Sequence, residues 1–202
     1  MNDVYERLEF VPRNADYFQE SRVQDLFDRE APMELDLGCG DGGFLMAMAA
    51  EFPDRNFIGV ERLLGRVRAV CRKADRRSLE NVRVLRLDSA YAVGRLLPKN
   101  AFSRVHLLFP DPWPKKKHQK RRIVTPEFVA AIHELLESGG EFLFKTDHEE
   151  YFEHARQVIL DFEAMESVPW PDDAFYYAET DFERQWKEEG KRIQGVRVRK
   201  ST

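Results

Sequence analysis

"ELDLGCGDGG", residues 34–43, decides how the rest of the chain is read. The stretch beginning at Met33 is mostly apolar and β-forming, and it runs into glycines at 38, 40 and 43. Residues 43–51 then carry a helical pattern. Strand, glycine turn and helix in that order form the G-x-G-x-x-G arrangement, in which backbone N–H groups and a helix N-terminus face a ligand. Glu61 ends the next strand, "NFIGVE" at 56–61, at the distance expected of a ribose acceptor.

On the glycines alone a dinucleotide fits as well as anything. Asp36, two residues before the first glycine, tips the balance. A carboxylate there would lie against a pyrophosphate, and like charges held close are costly. S-adenosylmethionine has no phosphate and carries an ammonium and a sulfonium, so an acid suits it. Asp88, after a third strand at 81–88, repeats the theme. The strand ends thus read Asp36, Glu61 and Asp88, at the edge where open α/β sheets bind ligands. Glu61 can take both ribose hydroxyls and Asp88 the adenine amino group. Each acid alone reads equally as a solvated cap, but three of them with the glycines agree on a cofactor.

Outward from this unit the alternation continues. Residues 62–77 are helical, with Leu63, Val67, Val70 and Ala74 as an apolar stripe and Arg62, Arg66, Lys73 and Arg77 on another face. "RVHLLFP", 104–110, is a strand buried on both faces. Thr125, Pro126 and Glu127 open a helix over 126–137, which Gly139-Gly140 ends. "EFLFKTD", 141–147, is a fifth strand, followed by a helix to about residue 161. This spacing predicts a parallel sheet with helices on both faces. The last forty residues break the rhythm, with a short helical stretch over 180–189 and a strand at 192–199. We expect one domain of 202 residues: an N-terminal extension and helix (1–30), a cofactor-binding core (31–165) and a C-terminal substrate-binding segment (166–202).

Composition bounds the class. Hydrophobic residues make up 43% and charged residues 34%, and no apolar run approaches the length of a membrane span. The N-terminus lacks a signal-peptide apolar stretch. Two cysteines, Cys39 and Cys71, give no disulfide framework, which makes a reducing cytoplasm the expected location. His106, His118, His133, His148 and His154 show no metal-ligand spacing, so no metal is expected. Net charge is −4, yet positive charge clumps at 62–77, 115–122 and 191–200.

The densest clump adjoins the most unusual segment, "FPDPWPKKKHQKRRI", 109–123, which has six Lys or Arg within eight residues. Prolines at 110, 112 and 114 bias Asp111 and Trp113 toward extended backbone. Trp113 reads equally as a base-stacking ring or as core. Lys115, Lys116, Lys117, Lys120, Arg121 and Arg122 read as a phosphate-binding run, because the chain is acidic overall and the run lies beside the expected pocket.

With the glycine loop and this segment in hand, the chain resembles the single-subunit, bacterial-type tRNA (guanine-N7)-methyltransferases over roughly residues 30–200. The matching motifs are Asp111 through Arg122, Thr146-Asp147, and the T-x-[FY]-E block Thr180-Asp181-Phe182-Glu183 with Gly190 downstream. The resemblance implies a class I S-adenosylmethionine-dependent methyltransferase fold, Rossmann-like, with a mostly parallel sheet and an antiparallel C-terminal strand. It implies cofactor contacts at Asp36, Gly38, Gly40, Glu61, Asp88 and Asp111, with Asp111 also catalytic. It implies substrate contacts at Lys115, Asp147, Thr180, Asp181, Phe182 and Glu183. The implied partner is tRNA and the implied target its variable-loop guanosine, position 46; no membrane and no obligate protein partner are expected. Guanine N7 carries a lone pair and no proton, so such an enzyme needs to align the base rather than deprotonate it. Carboxylates from Asp111, Asp147 and Glu183 could accept from the base's N1 and N2 donors. The rival readings are methylation of an amino group on another RNA or DNA base, a non-catalytic RNA-binding relative, and an NAD-dependent oxidoreductase.

Overall fold

The computed structural model describes Tyr5, residues 8–10, 23–171 and 173–201. Most of the expected N-terminal extension and helix therefore lies outside the described residues. One eight-stranded sheet runs through the rest in the order β1-β4-β3-β2-β5-β6-β8-β7. The strands are β1 (Glu9–Phe10), β2 (Met33–Leu37), β3 (Asn56–Val60), β4 (Val82–Leu85), β5 (Phe102–Leu108), β6 (Leu136–Thr146), β7 (Met165–Ser167) and β8 (Gln194–Lys200). Pairs among β1 to β6 are parallel, and β8 runs antiparallel between β6 and β7. From β2 the chain first builds outward through β3 and β4, then crosses to β2's other side for β5 and β6. The strand order therefore reverses between β2 and β5, and loops leaving those two strands diverge to open a crevice.

The helices are α1 (Gly43–Glu51), α2 (Leu64–Arg76), α3 (Ser89–Tyr91, running on into a π-helical turn), α4 (Pro126–Leu135), α5 (Glu149–Leu160) and α6 (Asp181–Glu188). They cover both faces of the sheet. Met33, Leu35 and Leu37 point into a core with α4 and α5. On the opposite face α1 and α2 pack over Phe57, Val82 and Val84. Local chemistry sets the helix starts. Thr125 Oγ1 accepts from Phe128 N (3.2 Å) ahead of Pro126, and Thr180 Oγ1 accepts from Glu183 N (2.9 Å).

Because strand side chains alternate, Glu34 and Asp36 share the α1 face. There the register aligns Glu34, Arg104, Glu141 and Arg199 across four strands, alternating in sign. Arg104 contacts both flanking acids (3.8 and 3.2 Å), and Arg199 reaches Glu141 at 2.7 Å. Among the described residues no helix covers this row. Residues 168–171 and 173–180 do, placing Phe175 under Arg104 (4.2 Å) and Arg197 (4.9 Å), and Trp170 under Lys145 (5.1 Å).

The structure moves several boundaries. Helix α4 ends at Leu135, and Leu136 already pairs with Phe102, so Gly139-Gly140 form an irregularity within β6 rather than a helix stop. The apolar stripe of α2 is Val67, Val70, Cys71 and Ala74; Leu63 precedes the helix and is 48% exposed. A 3-10 helix over Lys116–Arg121 and the short strands β1 and β7 carry too little pattern to be read in advance.

Candidate functional site

At the crevice between β2 and β5 lies a cleft of about 950 Å³. Its lining includes Asp36, Gly38, Gly40, Glu61, Asp88 and Asp111, so the sequence-predicted cofactor residues meet in one place. Gly38 and Gly40 have φ of +74° and +59°, and a Cβ added to either meets nothing within 4 Å. The turn thus needs glycine for its backbone and leaves open space for a ligand against the peptide chain.

The acids differ in environment. Asp36 is 4% exposed, and burial, reinforced by the neighbouring Glu61 carboxylate, pushes its pKa up to about 7. Glu61 is held at the end of β3, accepting from Leu63 N (2.8 Å), with Arg66 at 3.8 Å. Asp88 is exposed and caps α3, accepting from Tyr91 N (3.1 Å), so it has a structural task that leaves carboxylate capacity toward the cleft. Burial, with Asp36 and Glu61 nearby, raises the Cys39 thiol well above its ordinary range; this cysteine stays protonated and is no nucleophile.

On the β5 side the chain turns sharply. Phe109 and Trp113 both have positive φ, +51° and +45°. The expectation of extended backbone at Trp113 is corrected: although it precedes a proline, it adopts left-handed backbone, a strained conformation for a bulky residue. Its ring lines the cleft, with the Arg121 guanidinium over one side (4.9 Å) and His118 edge-on (5.8 Å). Asp111, between these two turns, is exposed.

The basic run divides. Lys115, Lys116, Lys117, Lys120 and Arg121 are exposed, and Arg121 lines the cleft. Arg122 does not belong with them. It is 7% exposed, its Nε donates to Pro112 O (2.9 Å), it reaches Glu150 at 3.4 Å, and it lies over Tyr151 (5.1 Å). Its charge braces the turn and is not presented to a phosphate.

The C-terminal block closes the cleft through Thr180, Asp181 and Phe182. Asp181 packs against the start of α1, where a Cβ on Gly43 would lie 3.0 Å from its Oδ2. Phe182 is 50% exposed, backed by Trp186. Glu183 turns the other way: it is 3% exposed and pairs with Lys145 (2.9 Å) and Lys187 (3.5 Å). Asp147, half-buried, faces Lys191 at 3.9 Å. Neither Glu183, Asp147 nor Lys115 lines the cleft. T-x-x-E is also a capping-box pattern, and Thr180 is indeed the N-cap of α6.

The sequence reading missed the support beneath the cleft. His106 bridges Glu34 (Nε2 to Oε2, 2.9 Å) and the Tyr177 hydroxyl (Nδ1, 2.8 Å), and its ring packs edge-on to Phe44 (5.2 Å), a lining residue. Burial opposes a charge on Glu34, but the hydrogen bond to His106 and the nearby Arg104 and Arg55 keep its carboxyl below the ordinary range. Burial, then Asp36 and Glu34, raises the Tyr177 phenol well above its usual value, so it remains a neutral hydrogen-bonding group. The strand carrying Asp36 is thereby tied to the segment that leads into Thr180. Only the pairing Asp36↔His106 in register, with β8 folded back, reveals this. Among the described residues no group of three His, Cys, Asp or Glu could hold a metal ion, and no helix is long and apolar enough to cross a membrane.

The arrangement can hold a cationic, ribose-bearing molecule against β2 and β3, and present an acid, Asp111, from the opposite bank. Comparisons with known proteins agree. A family described as "Putative methyltransferase" matches residues 30–196. A relative from Idiomarina loihiensis named tRNA (guanine-N(7)-)-methyltransferase is 43% identical over 67% of this chain and 56% of its own length. The chain thus spans little more than half of that relative. A protein of the same name from Geobacter metallireducens is 34% identical over 87% of this chain and 85% of its own. Among solved structures, a 16S rRNA methyltransferase, KamB, superposes with a TM-score of 0.65 over 91% of this chain and 95% of that one, at 17% identity. That likeness concerns the fold, which is the class I methyltransferase fold with an antiparallel C-terminal strand.

Proposed function

The chain belongs to the tRNA (guanine-N7)-methyltransferase family, and from that premise we propose that it transfers a methyl group from S-adenosylmethionine to N7 of a guanosine in tRNA, the variable-loop position 46. The observation that carries the reading is the asymmetric cleft: buried acids on one bank, an exposed acid on the other, and exposed Lys115 to Arg121 at its edge.

The residues present fit the cofactor. Asp36 offers a buried carboxylate to a cationic group, Glu61 and Asp88 offer acceptors to ribose and adenine, and the Gly38–Gly40 turn leaves room beside it. When bound, the cofactor supplies an electrophilic sulfonium methyl. Asp111 aligns guanine by accepting from its N1 and N2, and its negative charge favours the cation that N7 alkylation creates. No side chain needs to remove a proton from N7. Trp113, held by Arg121, and Phe182 supply aromatic surface for the base, while Lys115, Lys116, Lys117, Lys120 and Arg121 hold the backbone around it. Asp147, Asp181 and Glu183 position the C-terminal block on the substrate side. Work on tRNA puts the protein in the cytoplasm without an obligate protein partner.

The test is direct. Unmodified tRNA is incubated with the protein and methyl-labelled cofactor, then digested to nucleosides and separated. Label in 7-methylguanosine, mapped to position 46, is the expected result. Label in a different nucleoside, or none above a heat-inactivated control, defeats the reading.

A further inference from the structure

We infer that the outer face of α2 is a second phosphate-binding surface for the same RNA, extending the cleft's grip by about 20 Å. The inference rests on the tRNA reading above. Residues 62–77 hold seven Lys or Arg and one acid, Asp75, a local charge of +6 in a chain whose total is −4. The structure places the start of this helix at the cleft. Arg62 and Arg66 line it, and Lys73 is tied at its rim to Asp41 (2.5 Å). Arg68, Arg72 and Arg76 follow at four-residue spacing, all exposed, on the helix's outer face, turned by about 80–160° from Arg66.

A solvated helix face ordinarily mixes the two signs. Here a single acid, Asp75, stands among them, and Arg68/Arg72 and Arg72/Arg76 are like-charged i,i+4 neighbours, which disfavour the helix they occupy. Dipole complementarity accounts for Lys73 and Arg76 in the last turn, but it opposes Arg66 and Arg68 near the N-terminus. Arg68 lies over the ring of Tyr5 (5.9 Å), and Arg72 donates to its hydroxyl (3.5 Å); neither contact neutralises a guanidinium. The span is too long for the one nucleoside that the cleft admits. A partner that meets both the cleft and this outer face is an extended polyanion wide enough to cover the helix, which is what a tRNA backbone offers once its guanosine is seated. The N-terminal end of α2 and the Lys115–Arg121 run then flank the cleft, since Arg66 and Arg121 both line it.

The experiment compares the full chain with two triple variants, Arg68→Gln/Arg72→Gln/Arg76→Gln and Arg68→Lys/Arg72→Lys/Arg76→Lys. Circular dichroism checks folding, and tRNA binding is measured between 50 and 200 mM salt. Each lost phosphate contact should lower the slope of log K against log salt by about 0.7–0.9, so the glutamine variant should lose about 2–3 from that slope. Its KM for tRNA should rise about tenfold or more, with kcat at saturating tRNA and cofactor affinity both within about twofold. The lysine variant should keep the wild-type slope. A folded glutamine variant with unchanged slope and KM overturns the inference, as does a lysine variant that loses as much as the glutamine one. Wild-type protein that fails to bind tRNA overturns the underlying reading, and this inference with it.

Discussion

The two banks of the cleft are built by different means. On the β2–β3 side the acids stand at or just past the ends of regular strands, and Asp36 and Glu61 are buried. Their positions follow from register, and burial raises the pKa of Asp36. On the β5 side the chain leaves its strand through two residues with left-handed backbone, Phe109 and Trp113, and hangs an exposed Asp111 between them. A remote segment, 180–182, supplies the rest of that bank. The contrast teaches a division of labour. A small ligand is gripped by groups that folding has already desolvated. A large one brings its own surface, so the groups meeting it can stay in water until it arrives.

The sharpest way to break this contrast is at Asp111. If the exposed bank acts by alignment and charge, Asp111→Ala should fold and bind tRNA, yet single-turnover methyl transfer should fall about a hundredfold or more. A near-wild-type rate would remove Asp111 from the chemistry.

Asp36 tests the buried bank, with a smaller effect. Its carboxyl titrates near 7 without ligand, and a bound cation favours the ionised form. Cofactor affinity should therefore rise with pH to about 7 and level off above, falling up to about tenfold per pH unit below. Asp36→Asn should flatten that profile. The sign for stability is opposite. The raised pKa penalises the folded state progressively from pH 4 to 7 and fully above 7, so Asp36→Asn should raise the melting temperature of the ligand-free protein at pH 8 and leave it nearly unchanged near pH 4. Calorimetry measures both; a flat wild-type affinity profile between pH 5.5 and 8 would mean that Asp36 carries no such burden.

The smallest effect sharpens the link between the banks. Tyr177→Phe removes the hydroxyl on His106, at a cost of about 1–3 kcal/mol for a buried polar atom left without its partner. Chemical denaturation should register the loss. If stability holds, the C-terminal cover stays in place by its aromatic and charge contacts alone.

Much of the buried bank was legible in the sequence. Glycines at fixed spacing and acids at strand ends are local signals, and strand ends in a parallel sheet converge wherever the order reverses. Asp36, Gly38, Gly40, Glu61 and Asp88 could therefore be named from residues and spacing. The β5 bank was legible only in part. Asp111 and the lysines announce themselves by composition, but the backbone of Trp113 and the burial of Arg122 do not. Prolines argued for extended chain, and a turn closed by Arg122, Pro112 and Glu150 overrode them. Likewise T-D-F-E names a block without saying that its glutamate faces inward to Lys145.

The sequence by itself determined the alternation of strands and helices, the glycine turn, the strand-end acids and the clustered positive charge, because each is a property of neighbours along the chain. Tertiary structure alone decided which arginines are free to meet a phosphate, how Glu34, His106 and Tyr177 join under the cleft, and that α2 begins at its rim. Those outcomes depend on residues far apart in sequence: 28 for Arg122 and Glu150, 71 for His106 and Tyr177, and 72 for Glu34 and His106. Burial and partnership, which turn a charged side chain into a brace or leave it as a contact, exist only once the sheet has closed.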